Sequence, residues 1–182
     1  FSVKDAYVQG LWQSERYFED ISDEVRRNFI FPEIRDEENE KNLQNIISTH
    51  SVSVHIRRGD YLDNVNQRIY GNICTSFYYE KALEYFKRKY KNIVFFVFSD
   101  DIQWARDHIK AENVVYVNCN KGDNAIFDML LMSKCRHNII ANSSFSWWGA
   151  WLNSNEDKEV IAPAKWLNTE KLEDIWCKGW IK

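Results

Sequence analysis

The run Ile-Val-Phe-Phe-Val-Phe at residues 93–98 is apolar at every position, and this constrains the fold more than any other feature of the sequence. Side chains alternate between the two faces of a strand, so a strand that is apolar on both faces must be covered on both. Such strands are typical of parallel sheets with helices on each side. The run therefore predicts a central strand of an α/β fold.

Strand and helix patterns alternate along the chain from residue 51 onward. Short apolar runs predict strands over residues 51–57, 93–99, 114–118, 138–141 and 159–162. Longer segments between them predict helices over residues 76–90, 102–109, 124–135 and 146–152. Strands that alternate with helices in this way form a doubly wound, Rossmann-like parallel sheet, which we predict for residues 50–182.

Residues 1–49 carry a different pattern. Apolar residues at helical spacing predict one helix over residues 12–31. A charged run at residues 35–41 precedes a second, short amphipathic helix that ends near Ser48. We interpret the charged run as a solvated face or linker.

Composition limits the possible functions. Of the 182 residues, 45% are hydrophobic, and only six are glycine and two proline, which predicts a folded domain with a substantial core. The net charge of −3 argues against a general nucleic-acid surface, because a phosphate backbone requires a basic face. We find no pattern typical of a membrane span, and we expect none in these residues.

The cysteines and tryptophans predict packing rather than chemistry. The four cysteines have no Cys-x-x-Cys spacing, so we expect reduced, mostly buried thiols instead of a zinc site. Trp147, Trp148 and Trp151 cluster after a serine-rich turn. Core packing is the favoured interpretation and sugar stacking the alternative, and Trp147 and Trp151 would share a helix face.

Polar residues follow four of the predicted strands, at the point where each strand ends. These clusters are Arg57–Asp60 and residues 99–101, 118–123 and 142–144. The carboxyl ends of parallel strands meet at one edge of a sheet, and ligands of such sheets bind there. The sequence therefore predicts a single site at this edge.

The first of these clusters favours a phosphate-bearing ligand. Arg57 and Arg58 present planar forks of donors that stay charged and can hold phosphate oxygens bidentately. Gly59 allows the backbone to approach a ligand closely. The alternative is a surface strand end in which an arginine pairs with Asp60.

Two segments carry a resemblance to a known family. His-x-Arg-Arg-Gly-Asp-Tyr at residues 55–61 is followed roughly eighty residues later by Asn-Ser-Ser-Phe-Ser-Trp-Trp-Gly at residues 142–149. Together they resemble the α-1,2-fucosyltransferases of glycosyltransferase family 11. Family members normally open with a Gly-Gly-Leu-Gly-Asn-Gln-Met-Phe-like turn and a first α/β domain, which this sequence lacks. We therefore expect the C-terminal, donor-binding portion of a GT-B enzyme, with residues 1–49 as interdomain helices and a remnant of the N-terminal domain.

The resemblance implies GDP-β-L-fucose as the donor substrate. Arg57 is then expected to stabilise the diphosphate leaving group, with Arg58 in support. Ser143 and Ser144 lie where a strand leads into a helix N-terminus, which is an anion site, although a serine there can also simply cap the helix. The other predicted GDP-fucose contacts are Asp100, Asp101, Asp128, Asn142 and Phe145.

Three assignments stay open at this point. Guanine has two donors that suit a carboxylate, and Asp100 leads over Asp101 and Asp128 as its partner. Asp101 could instead cap the following helix. Inverting transfer calls for a base, for which Asp60 is preferred over His55, although His55 could equally be a buried histidine that shapes the pocket.

The resemblance also bears on cofactors, partners and location. No Asp-x-Asp pair follows these strands, so we expect neither a metal nor another cofactor. The expected partners are the sugar nucleotide, a galactose-terminated acceptor glycan and an N-terminal domain of the same protein, without nucleic acid. A bacterial cytoplasmic location is favoured, with membrane association or the Golgi lumen as the alternative. Competing functions are a fucosyltransferase of α-1,6 or O-fucosyl linkage and a non-catalytic nucleotide-binding fragment.

Overall fold

The structure, a computed structural model, describes residues 13–182. Five strands form one sheet: β1 (His50–Ile56), β2 (Ile93–Ser99), β3 (Val114–Val117), β4 (His137–Ile139) and β5 (Val160–Ile161). Seven α-helices accompany them in the described residues: α1 (Ser22–Asn28), α2 (Glu37–Ser48), α3 (Asn64–Tyr70), α4 (Ser76–Lys89), α5 (Ile102–His108), α6 (Ala125–Lys134) and α7 (Ser144–Leu152). Each strand and helix predicted after residue 50 is confirmed to within about two residues of its ends.

All neighbouring strands are parallel, in the order β3-β2-β1-β4-β5. The order reverses at β1, which lies in the middle of the sheet between β2 and β4. This is the strand order of a doubly wound sheet, so the predicted Rossmann-like fold is confirmed. The reversal also places the crevice for a ligand beside the carboxyl end of β1.

Helices cover both faces of the sheet, as the apolar pattern of β2 requires. Phe95 and Val97 pack on one face with residues of α4 and α5. Phe96 and Phe98 pack on the other face with residues of α2 and α6. All four side chains are at most 1% exposed, so β2 is buried on both sides.

The helix predicted over residues 12–31 is wrong in its extent. The structure has two short 3-10 turns, Glu15–Tyr17 and Glu19–Ile21, before the seven-residue α1, and residue 12 lies outside the described part of the chain. Phe18 separates the two turns, and its ring stacks on Trp148 with centroids 5.5 Å apart. Packing against α7 therefore overrides the local helical preference.

The predicted helix that ends near Ser48 is confirmed as α2. The charged run at residues 35–41 is a largely exposed face, which was one of its two interpretations, and not a linker. It supplies the start of α2, where Asp36 caps the helix by accepting from the Asn39 N–H at 2.8 Å. Ile46 of the same helix is fully buried in the core cluster with β2 and α6. The chain between Gly59 and Tyr70 also forms a 3-10 turn and α3, which carry too few apolar residues to be predicted.

The predicted packing of the tryptophans and burial of the cysteines are confirmed. Trp147 and Trp151 are buried on one face of α7, with stacked rings 6.4 Å apart, and Trp148 packs beside them. All four cysteines are free, two of them buried and two half-buried. Among residues 13–182, no helix is long and apolar enough to cross a bilayer.

Candidate active site

A cleft of about 950 Å³ lies at the carboxyl edge of the sheet. It is lined by every predicted site residue except Arg58 and Asp101: His55, Arg57, Asp60, Asp100, Asp128, Asn142, Ser143, Ser144 and Phe145. His55 lies in β1 and Asp128 on α6, and the others follow β1, β2 or β4 or begin α7. The sheet edge therefore brings together groups that are up to ninety residues apart in sequence.

Like Lys121, Arg57 is a cation that lines this cleft. Its Nη2 lies 2.6 Å from Asp60 Oδ1, and its Nη1 lies 3.0 Å from Asp100 Oδ2. A guanidinium has five N–H donors, so these two contacts leave three for a ligand. The two carboxylates hold the fork in place at the end of β1, where its side chain is 36% exposed.

Arg58 points away from the cleft, towards α5. Its Nε donates to Asp101 Oδ2 at 3.2 Å, and its guanidinium lies 4.3 Å from the ring centre of Trp104. Asp101 caps α5 by accepting from the Trp104 N–H at 3.0 Å. The structure thus does not bring Arg58 and Asp101 together with the other predicted site residues. Their ion pair links the loop after β1 to α5.

A glycine is needed at position 59 because the carboxylate of Asp100 lies against it. A Cβ on Gly59 would lie 2.8 Å from Asp100 Oδ2, which is too close for a real contact. Asp100 is held there because its Oδ1 accepts from the Arg58 N–H at 2.9 Å while Oδ2 pairs with Arg57. Both oxygens of Asp100 are therefore engaged with the β1 loop.

His55 is buried beneath the cleft, with 6% of its surface exposed. Burial, and secondarily the charge of Arg57, lowers the pKa of this histidine to about 3, so the ring is neutral near pH 7. Its Nδ1 is buried and has no hydrogen-bond partner. A buried polar atom without a partner, in a residue that lines a cleft, is a candidate ligand contact.

Asp128 approaches the cleft from α6. Its Oδ1 accepts from Asn120 Nδ2 at 2.7 Å, while Oδ2 receives no hydrogen bond from the described residues. Burial raises the pKa of Asp128 to about 7, and the hydrogen bond from Asn120 opposes that rise. One carboxylate oxygen is therefore available to a ligand with N–H donors.

Ser143 and Ser144 place the N-terminus of α7 at the cleft. Ser143 is the N-cap residue, but its side chain makes no capping hydrogen bond, and Ser144 is the first helical residue and is exposed. The first N–H groups of a helix have no partner within the helix and carry partial positive charge. This end of α7 can therefore bind an anion.

The opposite end of α7 is fixed by two cations. Lys158 Nζ donates to the carbonyls of Ala150 and Asn153 at 3.0 and 2.5 Å. Arg26 Nη1 donates to the carbonyl of Trp151 at 2.6 Å. Burial lowers the pKa of Lys158 to about 8, so it remains largely charged at neutral pH. These bonds complement the negative end of the helix dipole and hold its N-terminus in place.

Asn142 is tied to the protein rather than free for a ligand. Its side-chain Nδ2 donates to the backbone carbonyls of Tyr70 and Trp166, each at 3.1 Å. Its backbone carbonyl accepts from Tyr61 Oη at 2.9 Å. Several residues that line the cleft are given no role by the sequence analysis. Tyr61 ends the first motif, and the others belong to no motif: Gln13, Asn66, Tyr70, Trp166, Leu167 and Leu172.

Within residues 13–182, no three His, Cys, Asp or Glu side chains are grouped so as to hold a metal ion. The roles of the site residues and the expectation of metal-free chemistry remain predictions.

Comparisons with known proteins agree with the resemblance. Residues 2–182 match the sequence pattern of glycosyl transferase family 11. The alpha-1,2-colitosyltransferase of Escherichia coli is 43% identical over 181 residues, which cover 95% of this chain and 61% of that protein. The galactoside alpha-(1,2)-fucosyltransferase 1 of Ateles belzebuth is 29% identical over 187 residues, which cover 96% and 51%. The crystal structure of the fucosyltransferase NodZ from Bradyrhizobium aligns with a TM-score of 0.38 and 17% identity, over 74% of this chain and 58% of that one.

The chain thus spans between 51% and 61% of the length of these two sequence relatives. The family pattern, by contrast, covers nearly the whole of this chain, including both motifs that line the cleft. The chain is a member of glycosyltransferase family 11.

Proposed function

We propose that the cleft binds GDP-β-L-fucose and that the chain carries the donor half of an inverting transfer of L-fucose to the 2-hydroxyl of a galactose-terminated glycan. The observation that carries this proposal is that Arg57, the N-terminus of α7 and Asp128 all face one cleft. Donors for a diphosphate and an acceptor for a purine edge are thereby combined in a single site.

The diphosphate is proposed to lie between Arg57 and the start of α7. Arg57 is already paired with Asp60 and Asp100, so its charge alone does not make the cleft positive. The N–H groups at Ser144 and Phe145 provide the additional donors. Arg57 then offsets the charge that develops on the leaving GDP, which is where a preoriented cation lowers the barrier.

Guanine is proposed to lie against Asp128. Both oxygens of Asp100 are engaged with the β1 loop, and Asp101 caps α5. Asp128 alone among the three candidates has an oxygen without a partner in the described residues. Its carboxylate can accept from the N1–H and the N2 amine of guanine together.

The chemical step needs one base. The acceptor 2-hydroxyl oxygen forms a bond to C1 of fucose while the bond from C1 to the β-phosphate oxygen breaks, and the electron pair leaves with GDP. We assign the hydroxyl proton to Asp60, which lines the cleft and is 47% exposed on its side chain. His55, which burial keeps neutral with a pKa of about 3, is proposed to contact the donor through Nδ1.

A second donor is favoured by the similarity to an alpha-1,2-colitosyltransferase. Colitose is L-fucose without its 3-hydroxyl, so one hydroxyl distinguishes the two substrates. A site that hydrogen-bonds this hydroxyl discriminates strongly against the deoxy sugar, whereas an apolar one discriminates weakly. Competition between the two GDP-sugars for the cleft separates the candidates.

Calorimetric titration tests the donor half. We expect the chain in EDTA to bind GDP at least about tenfold more tightly than UDP or ADP, since each lost hydrogen bond to a charged group costs 1.5–3 kcal/mol. Equal binding of the three nucleotides, or no binding of any, would contradict the proposed donor. Loss of GDP binding on adding EDTA would contradict its metal independence.

Incubation with GDP-β-L-fucose and lactose tests transfer. In GT-B enzymes the acceptor is held between two domains, so we expect no fucosylated product from this chain alone. A product with an α-1,2 link would establish the reaction while contradicting that expectation. A β-linked product would contradict the inverting mechanism.

A further inference from the structure

A chain of hydrogen bonds connects α2 to the carboxylate proposed for guanine. Asn39, in the first turn of α2, is 2% exposed. Its Nδ2 donates to Asn120 Oδ1 at 2.7 Å, and Asn120 Nδ2 donates back to Asn39 Oδ1 at 2.8 Å. The remaining N–H of each amide donates to a carboxylate: Asn39 to Asp36 at 2.9 Å, and Asn120 to Asp128 at 2.7 Å.

The two ends of this chain fix the orientation of both amides. An ionised carboxylate only accepts hydrogen bonds, so the Asn39 amine must face Asp36. With Asn39 held in that orientation, the paired amide of Asn120 must direct its own second N–H towards Asp128. If Asn39 were removed, the Asn120 amide could rotate and present its oxygen to the Asp128 carboxylate, which would repel it.

We propose that Asn39, acting through Asn120, positions Asp128 for the guanine edge and so sets the base selectivity of the cleft. The inference rests on the function proposed above. Asn39 is a positioning residue, since it touches neither nucleotide nor sugar. It also gives α2 a part in donor recognition, although that helix lies outside both sequence motifs.

The hydrogen bonds proposed between Asp128 and guanine indicate which nucleotide can test this role. Asp128 Oδ1 keeps a second lone pair when it accepts from Asn120, and Oδ2 is open, so both oxygens can face guanine. Hypoxanthine has the N1–H of guanine but lacks its N2 amine. The ratio of GDP affinity to IDP affinity therefore measures whether the carboxylate is held in the bidentate position.

The groups around Asp128 bear on the pH chosen for the measurement. The titratable and charged groups on the adjoining segments are Asp36 and Glu38 of α2, the Cys119 thiol after β3 and Lys121 at the cleft. Burial, with the charges of Glu38, Asp128 and Asp36, raises the pKa of Cys119 to about 11. At pH 8.5 the thiol is neutral and Asp128 is ionised. The ratio of GDP affinity to IDP affinity then reflects the position of the Asp128 carboxylate and not its protonation.

Calorimetry at pH 8.5 compares the chain with Asn39→Ala and with Asn45→Ala. Asn45 is an exposed asparagine of the same helix and lies away from the amide pair, which makes it a matched control. We expect the unchanged chain and Asn45→Ala to prefer GDP over IDP about tenfold, and Asn39→Ala to bind both within about threefold. If Asn39→Ala does not fold, Asn120→Ala removes the donor directly, and the same change is expected.

The outcomes separate the two proposals. If the unchanged chain shows no preference for GDP over UDP or ADP, the proposed function fails, and this inference fails with it. If that preference is present but Asn39→Ala keeps the tenfold GDP to IDP ratio, only the positioning role is wrong. If Asn39→Ala weakens GDP and IDP by the same factor, Asn39 acts on general stability, which likewise overturns the inference.

Discussion

The two ends of the central sheet use the same kinds of residues in opposite ways. At the carboxyl edge, Arg57 pairs with Asp60 and Asp100 beside an open cleft, and His55 keeps an unpaired Nδ1. At the amino end, Glu159 accepts from Tyr85 and Tyr90 at 3.0 and 2.9 Å and pairs with Lys89. Polar groups are left available at one end and are satisfied by the protein at the other.

The histidines show the difference most clearly. His137, at the amino end, accepts from the Glu159 N–H at its Nδ1 and lies 3.0 Å from His50 at its Nε2. Both of its ring nitrogens therefore have partners, whereas Nδ1 of His55 has none. Charged and aromatic residues at a strand end thus indicate a binding site only where their hydrogen-bonding groups remain unsatisfied.

Acid should produce the largest effect, and it should act on both ends. Burial, and then His50, lowers the pKa of His137 to about 4, and burial lowers that of His55 to about 3. The unfolded chain binds these protons near pH 6.5, so stability is full above that pH and is lost as the pH falls. Each histidine should remove about 2 kcal/mol from the free energy of unfolding at pH 5.

Urea unfolding at pH 7 and pH 5, followed by circular dichroism, measures this loss. His137→Phe keeps an aromatic ring against Phe86 and Tyr90 but cannot bind a proton. The variant should lose about half of the pH dependence. Equal unfolding free energies at the two pH values in the unchanged chain would show that neither histidine is held neutral by the fold.

Arg57→Ala should affect binding at the carboxyl edge without affecting stability. GDP affinity should fall about 100-fold, because charge-assisted hydrogen bonds to phosphate are lost. The free energy of unfolding should change little, since the ion pairs of Arg57 are partly exposed and water can solvate the Asp60 carboxylate. Calorimetry and thermal melting measure the two quantities, and Arg88→Ala, an exposed arginine of α4, is the control. A comparable affinity loss in Arg88→Ala would point to a general charge effect.

Glu159→Ala should do the reverse. Removing this carboxylate leaves the hydroxyls of Tyr85 and Tyr90 without their acceptor, and the free energy of unfolding should fall by about 2 kcal/mol. GDP affinity should stay within about twofold, because the amino end does not touch the cleft. Urea unfolding and calorimetry check both statements. A tenfold loss of GDP affinity with intact folding would mean that the two ends are coupled.

Ser144→Ala should have the smallest effect. The backbone N–H groups of α7 remain, and Ser143 still occupies the N-cap position, so only one hydroxyl donor is lost. GDP affinity should fall about threefold, within the range of one neutral hydrogen bond. Calorimetry of this variant beside Ser154→Ala, an exposed serine away from the cleft, measures it. A change larger than that of Arg57→Ala would invert the proposed order of contacts.

From residue 50 onward, the strands and most helices could be predicted because short apolar runs mark the strands, whereas α3 carries too few apolar residues to be predicted. Before residue 50, the helix that ends at Ser48 could also be predicted, but the two 3-10 turns could not, since Phe18 is positioned by the α7 tryptophans that are distant in sequence. The proposed domain boundary near residue 49 stays a prediction, although Ile46 packs in the same core as β2.

The site could be predicted in location but not in all its partners. Arg57, Asp100 and Ser144 could be placed at one edge because the carboxyl ends of parallel strands meet at the same edge of a sheet. The sequence could not show that Arg58 turns towards α5, which depends on the position of Trp104. Nor could it find Asn39, whose contact with Asn120 spans 81 residues and follows no periodic pattern.

A ¹H–¹⁵N NMR titration of the chain with GDP tests the separation of the two ends most directly. Amide shifts should concentrate at Arg57, Asn120 and Ser144, and the amides of His50, His137 and Glu159 should stay in place. Shifts centred on the amino-end residues, or an unchanged α7 N-terminus with GDP bound, would contradict the assignment of the carboxyl edge as the donor site.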